Sequence, residues 1–190
     1  PPAPIPPDPG WCPAGGSRPT KVVHMFVLGI DPGLSRCGYA VVAPGRPRPT
    51  PHAVGVLRTS TSDDRAVRLA ELQSEIRSLV AEFSPSVVAV ERVLFQVNAR
   101  TAMSVAQAVG VIMAEAASAG LSVAEYSPNE VKQVVAGWGG ASKLEVQRMV
   151  QTQLGLAALP QPADAADAAA VALCHLAHAP MAARLARSRR

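Results

Sequence analysis

With 190 residues, a 48% hydrophobic fraction and a mean hydropathy of +0.17, the chain can bury a core without disulfide staples, and its composition excludes an intrinsically disordered protein. No apolar run approaches the roughly 18 residues of a membrane span, and the first two dozen residues hold no apolar signal core, so a soluble, non-secreted protein is expected. A net charge of +4 and a pI near 9.4 point, weakly on their own, to a polyanionic partner.

Residues 1–21 are dense in Pro and Gly, which suits neither a helix nor a central strand, and are expected to form a disordered tail. Alternatively Met25 is the natural start and the tail an upstream extension. One folded domain is expected over 22–178. It opens with VVHMFVLGI, a nearly continuous apolar run that predicts a buried strand ending at Asp31. CGYAVVA (37–43) predicts a second strand, and after a Pro-rich turn at 44–51 AVGVLRT (53–59) predicts a third, in an antiparallel meander.

Asp63 and Asp64 then open an amphipathic helix whose apolar positions are Val67, Leu69, Leu72, Ile76, Leu79, Val80 and Phe83. Ser84-Pro85 stops it. VVAVE (87–91) is apolar until Glu91, as in a strand covered on both faces. A helix over about 98–119 follows, with small residues Ala102, Ala106, Gly110 and Ala114 four apart, a stripe that lets another helix or the sheet come close. The sheet is the default neighbour and a second subunit the alternative.

LSVAEY (121–126) predicts a fifth strand, 128–136 a short helix, and GWGGAS a loop. Ser142 and Glu145 form a capping box that starts the next helix. Asp164 opens an alanine-rich last helix reaching about His178, and 179–190, containing RLARSRR, is expected to be a disordered basic tail. This order of elements predicts an α/β fold, a mixed five-stranded sheet with helices on both faces. Cys12, Cys37 and Cys174 include no C-x-x-C pair; they read as small core residues in a reducing, cytoplasmic compartment. His175 and His178 read as part of a solvated helix end rather than a ligand pair.

Four carboxylates stand where packing explains them poorly. Asp31 ends an apolar strand, although D-P-G is also a favoured turn. Glu91 follows VVAV, where a buried carboxylate needs a partner. Asp164 and Asp167 share a helix face, although Asp164 is also a reasonable N-cap and Asp167 suits the helix dipole. If the first and fourth strands are neighbours, Asp31 and Glu91 open into one cleft and the last helix can bring its two acids over the same edge. Anions so close repel unless cations lie between them, and an all-oxygen set suits Mg²⁺ or Mn²⁺ rather than zinc. Two such ions, about 3.5–4 Å apart, are a known arrangement for phosphodiester hydrolysis.

GIDPGLSRCGYAVV, VERV with Asn98 after it, VKQVVAGWGGASKLEVQRMV and PADAADAAAVALCH occur in that order from about Met25 to His178. Together they resemble the RuvC family of bacterial Holliday-junction resolvases. The resemblance implies a ribonuclease H-like fold, a homodimer, symmetric Mg²⁺-dependent cutting of four-way DNA junctions, and a branch-migration complex of RuvA and RuvB as partner. It implies that Asp31, Glu91, Asp164 and Asp167 are the acidic ligands, and that Lys132 and Lys143 act near the scissile phosphate. These two are the only lysines after Lys21. The family's wedge against junction bases is aromatic, whereas Leu94 stands here with Phe95 after it, so either Phe95 stacks or the wedge is aliphatic. Trp138 is a second stacking candidate, set against the alternative that it covers the core; Arg92 and Arg100 are expected phosphate contacts. An actin-like ATPase shares a G-I-D-x-G turn, but it needs a second lobe and a second phosphate turn that this chain lacks.

Overall fold

The computed structural model describes residues 26–92 and 99–188; for residues 99–101 and 180–188 it describes the backbone alone. The expected N-terminal tail, residues 22–25 of the first strand, Leu94 and Phe95 lie outside the described residues. Five strands form one mixed sheet: β1 (Val27–Asp31), β2 (Arg36–Ala43), β3 (Thr50–Arg58), β4 (Val87–Glu91) and β5 (Ser122–Tyr126). The spatial order is β3-β2-β1-β4-β5. The β1–β2 and β2–β3 pairs are antiparallel, and the β1–β4 and β4–β5 pairs are parallel.

Period-two alternation divides the sheet between two cores. Leu28, Ile30, Val41, Val88 and Val90 face α1 (Arg65–Phe83) and α2 (Ala99–Ser118), meeting Leu72, Ile76, Ala108 and Ile112. Val27, Ala40, Val42, Val87 and Ala89 face the opposite way, toward α3 (Pro128–Ala136), α4 (Lys143–Leu154) and α5 (Ala163–Ser188). Helices therefore cover both faces, as the element order predicts. Among the described residues no helix is long and apolar enough to cross a membrane. Cys37 and Cys174 are buried and unpaired, as small core residues.

Several expectations need correction. β3 begins at Thr50, inside the expected turn; as an edge strand it tolerates Pro51, which has no N–H to give a neighbour. Val67 is 56% exposed, and the fully buried positions of α1 begin only at Leu72. The small-residue stripe of α2 does not face the sheet: a Cβ on Gly110 would meet nothing within 4 Å, while Ala108, Ile112 and Ala116 are buried instead. α5 starts at Ala163, so Asp164 lies in its first turn rather than at its N-cap. The helix also runs through Ser188, past Pro180, because the Ala-, Leu- and Arg-rich 182–187 segment favours helix. His175 and His178 are not simply solvated: His175 Nδ1 lies 2.9 Å from the Tyr126 hydroxyl, and His178 stacks on that ring. A second capping box, Ser127 with Glu130, starts α3.

Candidate active site

β1 and β4 are parallel neighbours, with Ile30 beside Val90, so their carboxyl ends share one edge of the sheet. Both strands are buried up to their last residue, and Asp31 and Glu91 are the first side chains to emerge. That edge is where α/β sheets bind ligands.

The last helix reaches the same edge because its contact surface is almost bare backbone. Ala165, Ala166, Ala168, Ala169, Ala170 and Ala172 are all 0–1% exposed. The strands answer with glycines: a Cβ on Gly29 would come within 2.8 Å of the Ala172 Cβ, and one on Gly38 would strike the Asp164 backbone. Alanine facing glycine lets α5 lie directly on β1 and β2, which carries Asp164 and Asp167 to the strand ends.

Carboxylate oxygens of Asp31, Asp164 and Asp167 all lie within 4.8 Å of one another, a group that could hold a metal ion. Glu91 lies outside that tight triad but lines the same pocket, of about 230 Å³, with Asp31, Asp167, Lys132 and Lys143. Every donor is a carboxylate oxygen and none is His or Cys, a set that fits a hard divalent cation.

The electrostatics express this crowding. The Asp31 carboxyl is pushed up to about 7, first by burial, then by Glu91, Asp167 and Asp164, with Lys143 pulling the other way. Glu91 is pushed up to about 7, first by burial and then by Asp167, against Lys143 and Lys132. Lys143 Nζ bonds Asp167 Oδ2 at 2.6 Å, which raises its own pKa. A lysine at the first position of a helix opposes the dipole, and the bond to Asp167 offsets that cost.

A stability consequence follows for the metal-free protein. Asp31 has a folded pKa near 7 against 3.8 ordinarily, so between these values the folded state binds more protons than the unfolded state. Its ionisation therefore costs stability that is absent below about pH 4, grows as pH rises, and is complete above about pH 7. Asp31→Asn should raise the unfolding free energy in EDTA at pH 8 by on the order of 1–3 kcal/mol, with the gain vanishing near pH 4. Adding Mg²⁺ should stabilise the wild type more than the variant. Thermal melts at the two pH values check this, and a variant less stable at pH 8 in EDTA would contradict it.

Arg36 was not picked out from the sequence. Its Nε and Nη2 both bond Asp164 Oδ2 at 2.6 Å, giving that acid its own cation. The available signal was its position: it begins the strand paired antiparallel with the one that ends in Asp31. Arg92 is exposed beyond β4, and its backbone N–H donates to the Tyr126 carbonyl at 2.7 Å. Trp138 is 53% exposed, so it does not cover the core; it stands with Glu145, Arg148 and Met149, away from the carboxylate pocket. Arg100 is in the first turn of α2, and its side chain lies outside what is described.

Comparison with known proteins gives a consistent result. The family model "Crossover junction endodeoxyribonuclease RuvC" matches residues 27–175. A crossover junction endodeoxyribonuclease RuvC of Rhodococcus opacus is 49% identical over 165 residues, covering 86% of this chain and 87% of that protein. Thermus thermophilus RuvC, solved in complex with a Holliday junction substrate, superposes with a TM-score of 0.79 at 38% identity, over 84% of this chain and 97% of that one. The yeast mitochondrial Holliday junction resolvase, at 17% identity and a TM-score of 0.59 over 80% of this chain and 79% of its own, shares the fold. That fold is the ribonuclease H-like arrangement of resolvases. The chain belongs to the RuvC family of crossover junction endodeoxyribonucleases, enzymes that cut phosphodiester bonds.

Proposed function

We propose that this chain resolves four-way DNA junctions by Mg²⁺-dependent hydrolysis of paired strands, with Asp31, Glu91, Asp164 and Asp167 as the metal-holding set. The observation that carries this reading is the approach of Asp31, Asp164 and Asp167 oxygens to within 4.8 Å at the strand ends, beside Lys143. Bound there, Mg²⁺ (or Mn²⁺ in its place) supplies an activated water and charge stabilisation on the phosphate, with two ions as the fuller arrangement. The remaining work falls to the protein. Lys143 holds Asp167 and sets a positive charge against the phosphate; Lys132, which also lines the pocket, adds a second. Arg36 fixes the orientation of Asp164. Arg92, Arg100 and Trp138 are assigned to DNA around the site, with Leu94 or Phe95 as the wedge at the junction centre.

Two coordinated cuts require two active sites, so the working unit is a homodimer, and the outward small-residue face of α2 is available to it. RuvA and RuvB are the assigned branch-migration partners, in the cytoplasm. The test is a mobile synthetic junction with Mg²⁺, with cuts mapped on all four strands. Paired cuts at symmetric positions, abolished by EDTA, are expected. Equal cutting of linear duplex, or nicking of one strand alone, would defeat the reading.

A further inference from the structure

A second cleft, of about 590 Å³, shares Arg36 with the acid cluster and is otherwise lined by Ser35, Arg65, Arg68, Ser104 and their neighbours. No carboxylate is among its lining residues. Arg68 is held in place: its Nε donates to Thr59 Oγ1 at 3.0 Å and its Nη2 to Ser35 Oγ at 2.6 Å, leaving further guanidinium donors for other partners. Thr59 is itself fixed, donating to the Leu34 carbonyl at 2.5 Å. Among the described residues no hydrogen bond or ion pair holds Arg65, which is exposed.

The arginines are also on the wrong end of their helix for stability. Arg65 and Arg68 sit in the first turn of α1, which has no acidic residue, and the Asp64 N-cap makes no side-chain capping bond. Cations there oppose the helix dipole, and uncapped N–H groups favour an incoming anion. A concavity that gathers three guanidinium groups at a positive helix end suits repeated negative charge. A DNA strand supplies one charge about every 3.4 Å along its axis. Guanidinium groups also match phosphate oxygens in paired hydrogen bonds.

We infer that this arginine cleft is a second phosphodiester-binding site, gripping the DNA backbone next to the position cut, with Arg36 bridging it to the carboxylates. The inference rests on the junction-cleaving reading above. Its contacts reach backbone rather than base edges, so they fix register without reading sequence.

Arg65 is the residue to change, because among the described residues no side-chain hydrogen bond or ion pair depends on it, whereas Arg68 braces Ser35 and Thr59. Junction binding is measured in EDTA as a function of NaCl for the wild type, Arg65→Ala, Arg65→Glu and Arg46→Ala. Arg46 follows β2 at the opposite end of the sheet from Asp31 and serves as the charge-matched control. Arg65→Ala should weaken binding roughly three- to tenfold and lower the slope of log K against log salt by about one. Arg65→Glu should weaken it further, and Arg46→Ala should leave affinity unchanged. Melting curves matching the wild type exclude misfolding. If the wild type binds and cuts junctions while both Arg65 variants keep its affinity and salt slope, the cleft assignment is overturned alone. If the wild type neither binds nor cuts them, the functional reading falls with it.

Discussion

Asp31→Asn should reduce cleavage of a four-way junction by at least about a thousandfold while leaving junction binding intact. The asparagine keeps the shape and one acceptor oxygen but removes the negative charge from a group whose oxygens lie within 4.8 Å of those of Asp164 and Asp167. A bound metal ion contributes several kcal/mol to transition-state stabilisation, and each 1.4 kcal/mol is about a factor of ten in rate. Loss of one ligand charge from the centre of the set is thus expected to cost several factors of ten. Binding should behave in the opposite sense. Asp31 repels phosphate, so its neutralisation should hold or slightly tighten the junction complex in EDTA. Gel shift and single-turnover nicking on the same junction separate the two effects. Cleavage by the variant within tenfold of the wild type would remove Asp31 from the metal-holding set. A parallel loss of binding and cleavage would instead mark a damaged fold, which the expected rise in its melting temperature at pH 8 argues against.

The sequence made legible whatever a local pattern encodes. Apolar runs of VLGI and VVAV announce strands buried on both faces, and an acid closing each run is conspicuous because burial there is costly. Asp164 and Asp167 are legible as a pair because i and i+3 share a helix face. The less legible features depend on contacts distant in sequence. Arg36 meets Asp164 across 128 positions, and neither residue's neighbourhood announces the other. The stripe on α2 misleads because alanine signals close packing and high helix propensity alike. The residues that pack, Ala108, Ile112 and Ala116, are each offset by two positions from the stripe and so lie on roughly the opposite side of the helix. Conversely, the alanines of α5 have a use that composition cannot reveal: only the opposing Gly29 and Gly38 make them a seat for the helix on the sheet. Lys143 is legible through the family resemblance; the structure adds that it is a cation at a helix N-terminus, locally unfavourable and held there by Asp167.

That lysine carries the second large prediction. Lys143→Ala should slow cleavage of bound junction about a hundredfold, the usual scale for removing one preorganised electrostatic group, while weakening binding only a few-fold. Two roles are open to a cation here, a fixed charge or a proton donor, and its surroundings decide between them. Asp167 accepts from Nζ at 2.6 Å and raises the lysine pKa above its ordinary value, which favours the ammonium form. On the proposed reading it acts as a charge, steadying Asp167 and opposing the negative charge that builds on the phosphate. A charge can be replaced by another charge, so Lys143→Arg should recover a substantial part of the lost rate, whereas Lys143→Gln, polar but neutral, should not. Arginine that performs no better than glutamine would reassign Lys143 to proton transfer. Equal losses in binding and cleavage for the alanine variant would reduce it to an anchor for the backbone.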